Sequence, residues 1–298
     1  MAEKKTKDQK IKLALFPGCS MPTEQYGYEL SVREVMPLVG IELVDLQGFS
    51  CCGEPMKSVN ALMTLYLSAR NIALAEKEGL DILAPCAMCH LALSDCMHVL
   101  GSDESLKKRI NEKLGSEDLE YHGSAKLYHV VDLLYDVVGL EKIEELVKKP
   151  LKDISVATHY GCHLLRPTVI GRPVDAEQPK KMEEIIKICG GSAPFYPEKL
   201  DCCGGIVQFN LLESALTKTG QKLKAVKDAE FSCFVDVCPW CHKMFDARQQ
   251  KAAETVAAKL DVPVLYFTQL LGLALGVDSK KLGLFLNQSP MQKFEEVF

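Results

Sequence analysis

The sequence predicts an α/β protein built from two homologous, Rossmann-like repeats with mostly parallel sheets, one over residues 1–150 and the other over 151–298. Three observations carry that prediction. A cysteine pattern is written twice at matched spacing. Apolar runs of strand length alternate with segments of helical periodicity in both halves. The cysteines fall where a strand hands over to a turn or helix, which is where open α/β folds gather their ligands.

In the first half, IKLALF (11–16), IELVDL (41–46), DILAP (81–85) and AKLYHVV (125–131) read as buried strands. Between them NALMTLYLSARNIALAEKEG (60–79) carries apolar residues at helical spacing and ends on glycine. The second half repeats the scheme with ISVATHY (154–160), FSCFVDV (231–237) and PVLYF (263–267). Its helices include KKMEEIIKICGG (180–191) and KMFDARQQKAAETVAAKL (243–260). A break near KKPLKD (148–153) separates the halves. The last stretch, DSKKLGLFLNQSPMQKFEEVF (278–298), has no counterpart in the first half and reads as a partner-facing tail.

Bulk properties exclude several classes. With 47% hydrophobic and 25% charged residues the composition is globular rather than disordered. A net charge of −5 gives no reason to expect nucleic acid or an anionic membrane as partner. The best membrane candidate, VLYFTQLLGLALGV (264–277), is short and interrupted by Thr268 and Gln269, so no span is expected. The basic start, MAEKKTKDQK, leads into an apolar run too short for a signal peptide, and the expected location is cytoplasmic.

Thirteen cysteines stand out in such a protein. In a reducing compartment they do not form structural disulfides, and an odd number cannot all pair internally. Ten fall into two matching sets. The first is Cys19, Cys51, Cys52, Cys86 and Cys89; the second is Cys162, Cys202, Cys203, Cys238 and Cys241. From the adjacent pair to the C-x-x-C the gaps are 33 and 34 residues, and the flanks match: PGCS with YGCH, SCCGEP with DCCGGI, CAMCH with CPWCH. Cys96, Cys189 and Cys233 have no partner in the repeat and read as buried packing residues.

Several chemistries use C-x-x-C-H. Covalent haem attachment fits the pentapeptide but normally follows export, and it leaves the lone and paired cysteines without a task. A redox dithiol leaves the same residues unexplained. Zinc needs four thiolates, whereas each half carries five, and adjacent cysteines in an extended segment diverge from a single ion. A larger inorganic core suits them better, which points to two five-thiolate iron–sulfur sites, one in each repeat. A four-iron cubane needs only four thiolates, so five imply either one spare per half or a cluster that is not a cubane. His90 and His242 follow the C-x-x-C motifs and His163 follows Cys162. They either donate hydrogen bonds to sulfur or substrate, or merely cap and pack at the helix start.

FPGCSMP (16–22), IELVDLQGFSCC (41–52), HYGCHLLRPT (159–168), DCCGG (201–205), DVCPWCH (236–242) and TQLLGLALG (268–276) together resemble the cysteine-rich "CCG" domain family, and the whole chain resembles the B subunits of CoB–CoM heterodisulfide reductases. The resemblance implies two non-cubane [4Fe-4S] clusters. Cys19, Cys51, Cys52, Cys86 and Cys89 would hold the N-terminal one, and Cys162, Cys202, Cys203, Cys238 and Cys241 the C-terminal one. It also implies reduction of a small-molecule disulfide, CoM-S-S-CoB or an analogue, to two thiols.

That reaction needs two electrons and releases two thiolates, so two one-electron sites facing each other across a cleft would suffice. His163 is the candidate to protonate a product, and Arg166, four residues after Cys162, the candidate to anchor an anionic substrate group or else to form a surface ion pair. The chain has no ferredoxin-type cysteine run and no G-x-G-x-x-G after a strand, so electrons come from partners. The resemblance implies a ferredoxin-like C subunit as donor, a flavin-bearing A subunit behind it, and a hydrogenase or formate dehydrogenase module. The rival reading keeps the clusters but makes the chain an electron relay to another oxidoreductase.

Overall fold

The computed structural model describes residues 11–170 and 175–295. The basic start and the last three residues of the expected tail lie outside them.

The first half runs β1 (Ile11–Leu15), α1 (Tyr26–Leu38), β2 (Ile41–Val44), α2 (Ala61–Lys77), β3 (Asp81–Leu83), α3 (Ala87–Ser102), α4 (Glu104–Leu114) and β4 (Leu127–Tyr128). Then α5 (Val130–Asp132) passes through a π-helical stretch (Leu133–Val138) into α6 (Leu140–Leu146). The second half runs β5 (Val156–His159), α7 (Cys162–Leu165), α8 (Lys181–Ile188), α9 (Leu212–Asp228), β6 (Cys233–Asp236) and α10 (Pro239–His242). After the π-helical stretch Lys243–Ala247 come α11 (Gln249–Thr255), β7 (Val264–Tyr266), α12 (Phe267–Ala274) and α13 (Gln292–Glu295).

The four strands of the first sheet lie in the order β2-β1-β3-β4 and the three of the second in the order β5-β6-β7, every pair parallel. Where the first half has β2, the second has only an isolated parallel bridge, Ser155 to Ser192. Helices cover the sheets, which is why β5, β6 and β7 are buried along their whole length.

All seven expected strands are present, each shorter than its apolar run. The helix expected over 243–260 is broken. It widens where Asp246 turns its carboxylate to accept the backbone N–H of Gln288 (2.8 and 2.9 Å) and Ser289 (2.7 Å), and it ends before Ala257, whose φ of 48° is left-handed. The tail folds back on its own body. Ser289 Oγ accepts the Val264 N–H at 2.9 Å and Asn287 Nδ2 donates to Val264 O at 2.8 Å, closing the β7 edge. Phe285 of this tail remains 70% exposed.

The two halves share one continuous core. The α1 helix packs on α12, and the buried hydroxyls of Ser31 and Thr268 lie 2.6 Å apart across that contact. At its centre Tyr28 Oη donates to Pro85 O (2.9 Å) in its own half and reaches Val237 O (3.3 Å) in the other. Full burial of a side chain of this size contributes about 2–3 kcal/mol. The carboxyl ends of β3 and β6, which lead into Pro85 and Val237, are thereby held facing each other.

Candidate metal centres

Each repeat builds its thiol set from the same local devices. The first cysteine of each C-x-x-C caps a helix: Cys86 precedes α3 and Cys238 precedes α10, both in extended conformation. Their carbonyls accept the first intrahelical bonds, from His90 N (2.8 Å) and His242 N (2.9 Å). The side chains are left beside unpaired N–H groups of the first turn. The glycine after each cysteine pair has positive φ, 87° at Gly53 and 82° at Gly204, and turns its N–H back onto sulfur. Gly53 N lies 3.4 Å from Cys51 Sγ and Gly204 N 3.3 Å from Cys202 Sγ. Behind each pair a buried hydroxyl holds the second carbonyl: Ser68 donates to Cys52 O and Thr219 to Cys203 O, both at 2.9 Å.

The thiols form one connected row. In the first half Cys19 touches Cys51 (Sγ–Sγ 4.0 Å), Cys51 interacts with Cys52, Cys52 with Cys89, and Cys89 with Cys86. In the second half the order is the same: Cys162, Cys202, Cys203, Cys241, Cys238. The two rows meet at Cys86 and Cys238, whose sulfurs are 4.0 Å apart. A disulfide needs about 2.05 Å, and all ten are free thiols. Cys19, Cys51, Cys162 and Cys202 are partly exposed; the other six are buried.

Crowding spreads the thiol affinities apart. Cys202 is pulled far below the ordinary thiol range by hydrogen bonds from Cys162 and then Cys203. Cys52 is pulled down by Cys51 and Cys89, and Cys238 by Cys241 and Cys86. Cys162 is pushed up by its bond to Cys202, Cys241 by its bonds to Cys203 and then Cys238, and at the rim of the first set Cys19 by its bond to Cys51. Such a set loses its remaining protons to a metal. Five converging thiols per half, two of them adjacent in sequence, are the donor chemistry of a multi-iron sulfide core, and the residues present fit one.

Sequence reasoning missed His159 and Lys222. His159 is the last residue of β5, pinned between Phe234 and Phe245, with Nε2 3.3 Å from Cys241 Sγ. With Cys203 and Cys241 it forms a buried group whose ligand atoms all lie within 4.8 Å of one another. Lys222 Nζ donates to its Nδ1 at 2.8 Å. Burial, and then the Lys222 charge, push His159 well below the usual imidazole value, so it is neutral. The available signals were a histidine ending an otherwise apolar strand three residues before Cys162, and a lysine on the buried face of α9.

The other candidates separate. His242 turns away from sulfur: Nδ1 is 3.0 Å from Asp236, Nε2 faces Asp246 at 3.7 Å, and the ring stacks on Tyr266. His90 sits edge-on to His129. His242 is thus a packing residue of the junction. His163 stays beside its thiol, Nδ1 3.5 Å from Cys162 Sγ. Arg166 is half exposed and its Nη2 donates to both carboxylate oxygens of Glu177 (2.7 and 2.8 Å). Cys162, His163, Arg166 and Glu177 line one open cleft of about 560 Å³, which Leu91 of the first half also walls. Cys96, Cys189 and Cys233 are at most 1% exposed, and burial raises each thiol.

The chain is similar to known proteins. A model of the cysteine-rich "CCG" domain matches residues 13–94 and again 156–246. The B subunit of the ferredoxin/F420H2-dependent CoB–CoM heterodisulfide reductase from Methanosarcina acetivorans is 35% identical over 95% of both chains. The 8-methylmenaquinol:fumarate reductase membrane anchor subunit of Wolinella succinogenes is 34% identical over 91% of this chain and 94% of its own. A crystal structure of a hypothetical protein from Helicobacter pylori superposes with a TM-score of 0.74 at 18% identity, over 94% of this chain and 53% of that one, and shows the same fold. No helix among the described residues is long and apolar enough to cross a membrane.

Proposed function

Because the chain belongs to the cysteine-rich domain family, alongside heterodisulfide reductase B subunits, we propose that it is the catalytic subunit of a disulfide reductase that uses two iron–sulfur clusters. The carrying observation is the row of ten thiols, five from each repeat, joined at Cys86 and Cys238. Cys19, Cys51, Cys52, Cys86 and Cys89 would hold one non-cubane [4Fe-4S] cluster, and Cys162, Cys202, Cys203, Cys238 and Cys241 the other. Such clusters supply single electrons and Lewis-acidic iron, and two of them match the two electrons a disulfide requires.

The chain's own residues do the rest. The partly exposed Cys19 and Cys51 on one side, Cys162 and Cys202 on the other, leave each site an open rim for substrate. His163, beside Cys162, would hand a proton to a departing thiolate. Arg166, in the same cleft, would hold an anionic group of the disulfide by exchanging Glu177 for it. The buried stack of Tyr28, Tyr266 and His242 excludes water from the junction. Electrons would arrive from a ferredoxin-like C subunit and a flavin-bearing A subunit.

The relative among fumarate reductase anchor subunits favours a second reading, an electron relay to another oxidoreductase. Anaerobically purified protein distinguishes them. About eight irons with matching sulfide per chain, and turnover of a heterodisulfide by chemically reduced protein, support the reductase. The same metal content with no thiol released from any disulfide supports the relay. Zinc without sulfide defeats both.

A further inference from the structure

The two repeats agree in their thiols and disagree in what stands behind them. Aligned on Cys19 and Cys162, His159 corresponds to Phe16; aligned on Cys52 and Cys203, Lys222 corresponds to Asn71. Asn71 is buried and neutral and spends its amide on backbone, accepting Ser50 N at 2.9 Å and donating to Ser50 O and Cys51 O. Phe16 packs edge-on against Phe49. In the second half these two positions hold a buried cation and a hydrogen-bond donor.

Lys222 is 1% exposed, and its ammonium has three acceptors for three protons: His159 Nδ1 (2.8 Å), Lys199 O (2.8 Å) and Asp201 O (3.0 Å). Because Nδ1 accepts, the ring proton of His159 is on Nε2, which points at Cys241 Sγ 3.3 Å away. Burial draws Lys222 down only to about 8, and the three acceptors around its Nζ are the surroundings of an ammonium. Glu54, directly after the Cys52–Gly53 step, has a buried Oε2 without a hydrogen-bond partner, and Gly205 takes its place in the second half.

We infer that Lys222 is a positioning residue that locks His159 as an N–H donor to Cys241 and places a buried positive charge behind the second thiol set alone, making the C-terminal site the one of higher reduction potential. This rests on the reading that each set holds an iron–sulfur cluster. A hydrogen bond to a ligating sulfur and a nearby cation both favour the more negative, reduced state of a cluster. The first site would thus surrender its electron before the second.

The test is an anaerobic redox titration of the intact protein, followed by electron paramagnetic resonance, with iron and sulfide counted on each sample. The unmodified protein should show two separate one-electron steps. Lys222→Met and His159→Phe, the latter copying the first repeat, should each lower only the upper step. The expected fall is at least tenfold in the ratio of reduced to oxidised cluster at a fixed potential, or about 59 mV. His159→Gln, whose amide can accept from Lys222 and donate to Cys241, should keep the upper step near its original position. Coincident steps in the unmodified protein, or an unmoved upper step in iron-replete Lys222→Met and His159→Phe, overturn the inference. Unmodified protein lacking iron and sulfide overturns the cluster reading itself, which the counts reveal independently of any potential.

Discussion

The ring of Tyr28 lies flat against that of Tyr266, centroids 4.1 Å apart and planes within 4°. One belongs to each half, and the pair is sealed behind α1 and α12. Tyr266→Ala removes a buried ring from this stack and should cost about 3–5 kcal/mol. Tyr28→Phe keeps the ring but removes the hydroxyl that donates to Pro85 O, leaving His129 as the remaining side-chain partner of Val237 O, and should cost about 1 kcal/mol. Chemical denaturation should show both losses in a single transition; two transitions in either variant would mean the halves fold independently.

Gly18 has φ +63°, and a Cβ there would sit 2.7 Å from Cys89 Sγ. Gly18→Ala should therefore push Cys89 out of its set and bring iron per chain down by about half. Gly40→Ala is the matched control, with φ +91° and no atom within 4 Å of the added Cβ. It bears the left-handed cost of about 1–2 kcal/mol without a clash and should keep all its iron. Equal iron in the two variants would remove Cys89 from the ligand set.

Cys96, Cys189 and Cys233 should be separable from the other ten. Each Cys→Ala variant should lose about 1 kcal/mol of stability through the vacated volume and retain the full metal content. Iron analysis beside thermal melts checks this, and missing iron in any of the three would make that residue a ligand.

Arg166 and Glu177 face the same cleft as Cys162. With an anionic disulfide, Arg166→Gln should raise KM by about tenfold and leave kcat nearly unchanged, because the lost contact serves ground state and transition state alike. Glu177→Gln frees the guanidinium and should lower KM. Neither should move the melting temperature, since the pair is exposed. Unaltered KM in both would reduce the pair to surface decoration.

The seven strands and the two five-cysteine sets are legible in the sequence because both are local signals, apolar runs of strand length and short fixed-spacing motifs. The order of thiols within each row is not, since Cys52 meets Cys89 and Cys203 meets Cys241 only after α2 and α9 have packed. His242 misleads because adjacency to C-x-x-C says nothing about direction: as the last residue of α10 it points to Asp236 and Tyr266. Lys222 is hidden by its type. A lysine on a helix reads as solvated, and only the three carbonyl and imidazole acceptors around it explain why this one is buried.

The pattern of exposure along the thiol row gives the molecule a direction of decay. In both halves the outermost pair, Cys19 with Cys51 and Cys162 with Cys202, meets solvent, while none of the inner six is more than 5% exposed. If each set holds a cluster, oxygen or a chelator should corrode each half from its rim inwards, and the same rim would admit substrate. The four outer thiols bear the cost of the open mouth, and the buried contact between Cys86 and Cys238 would be reached last.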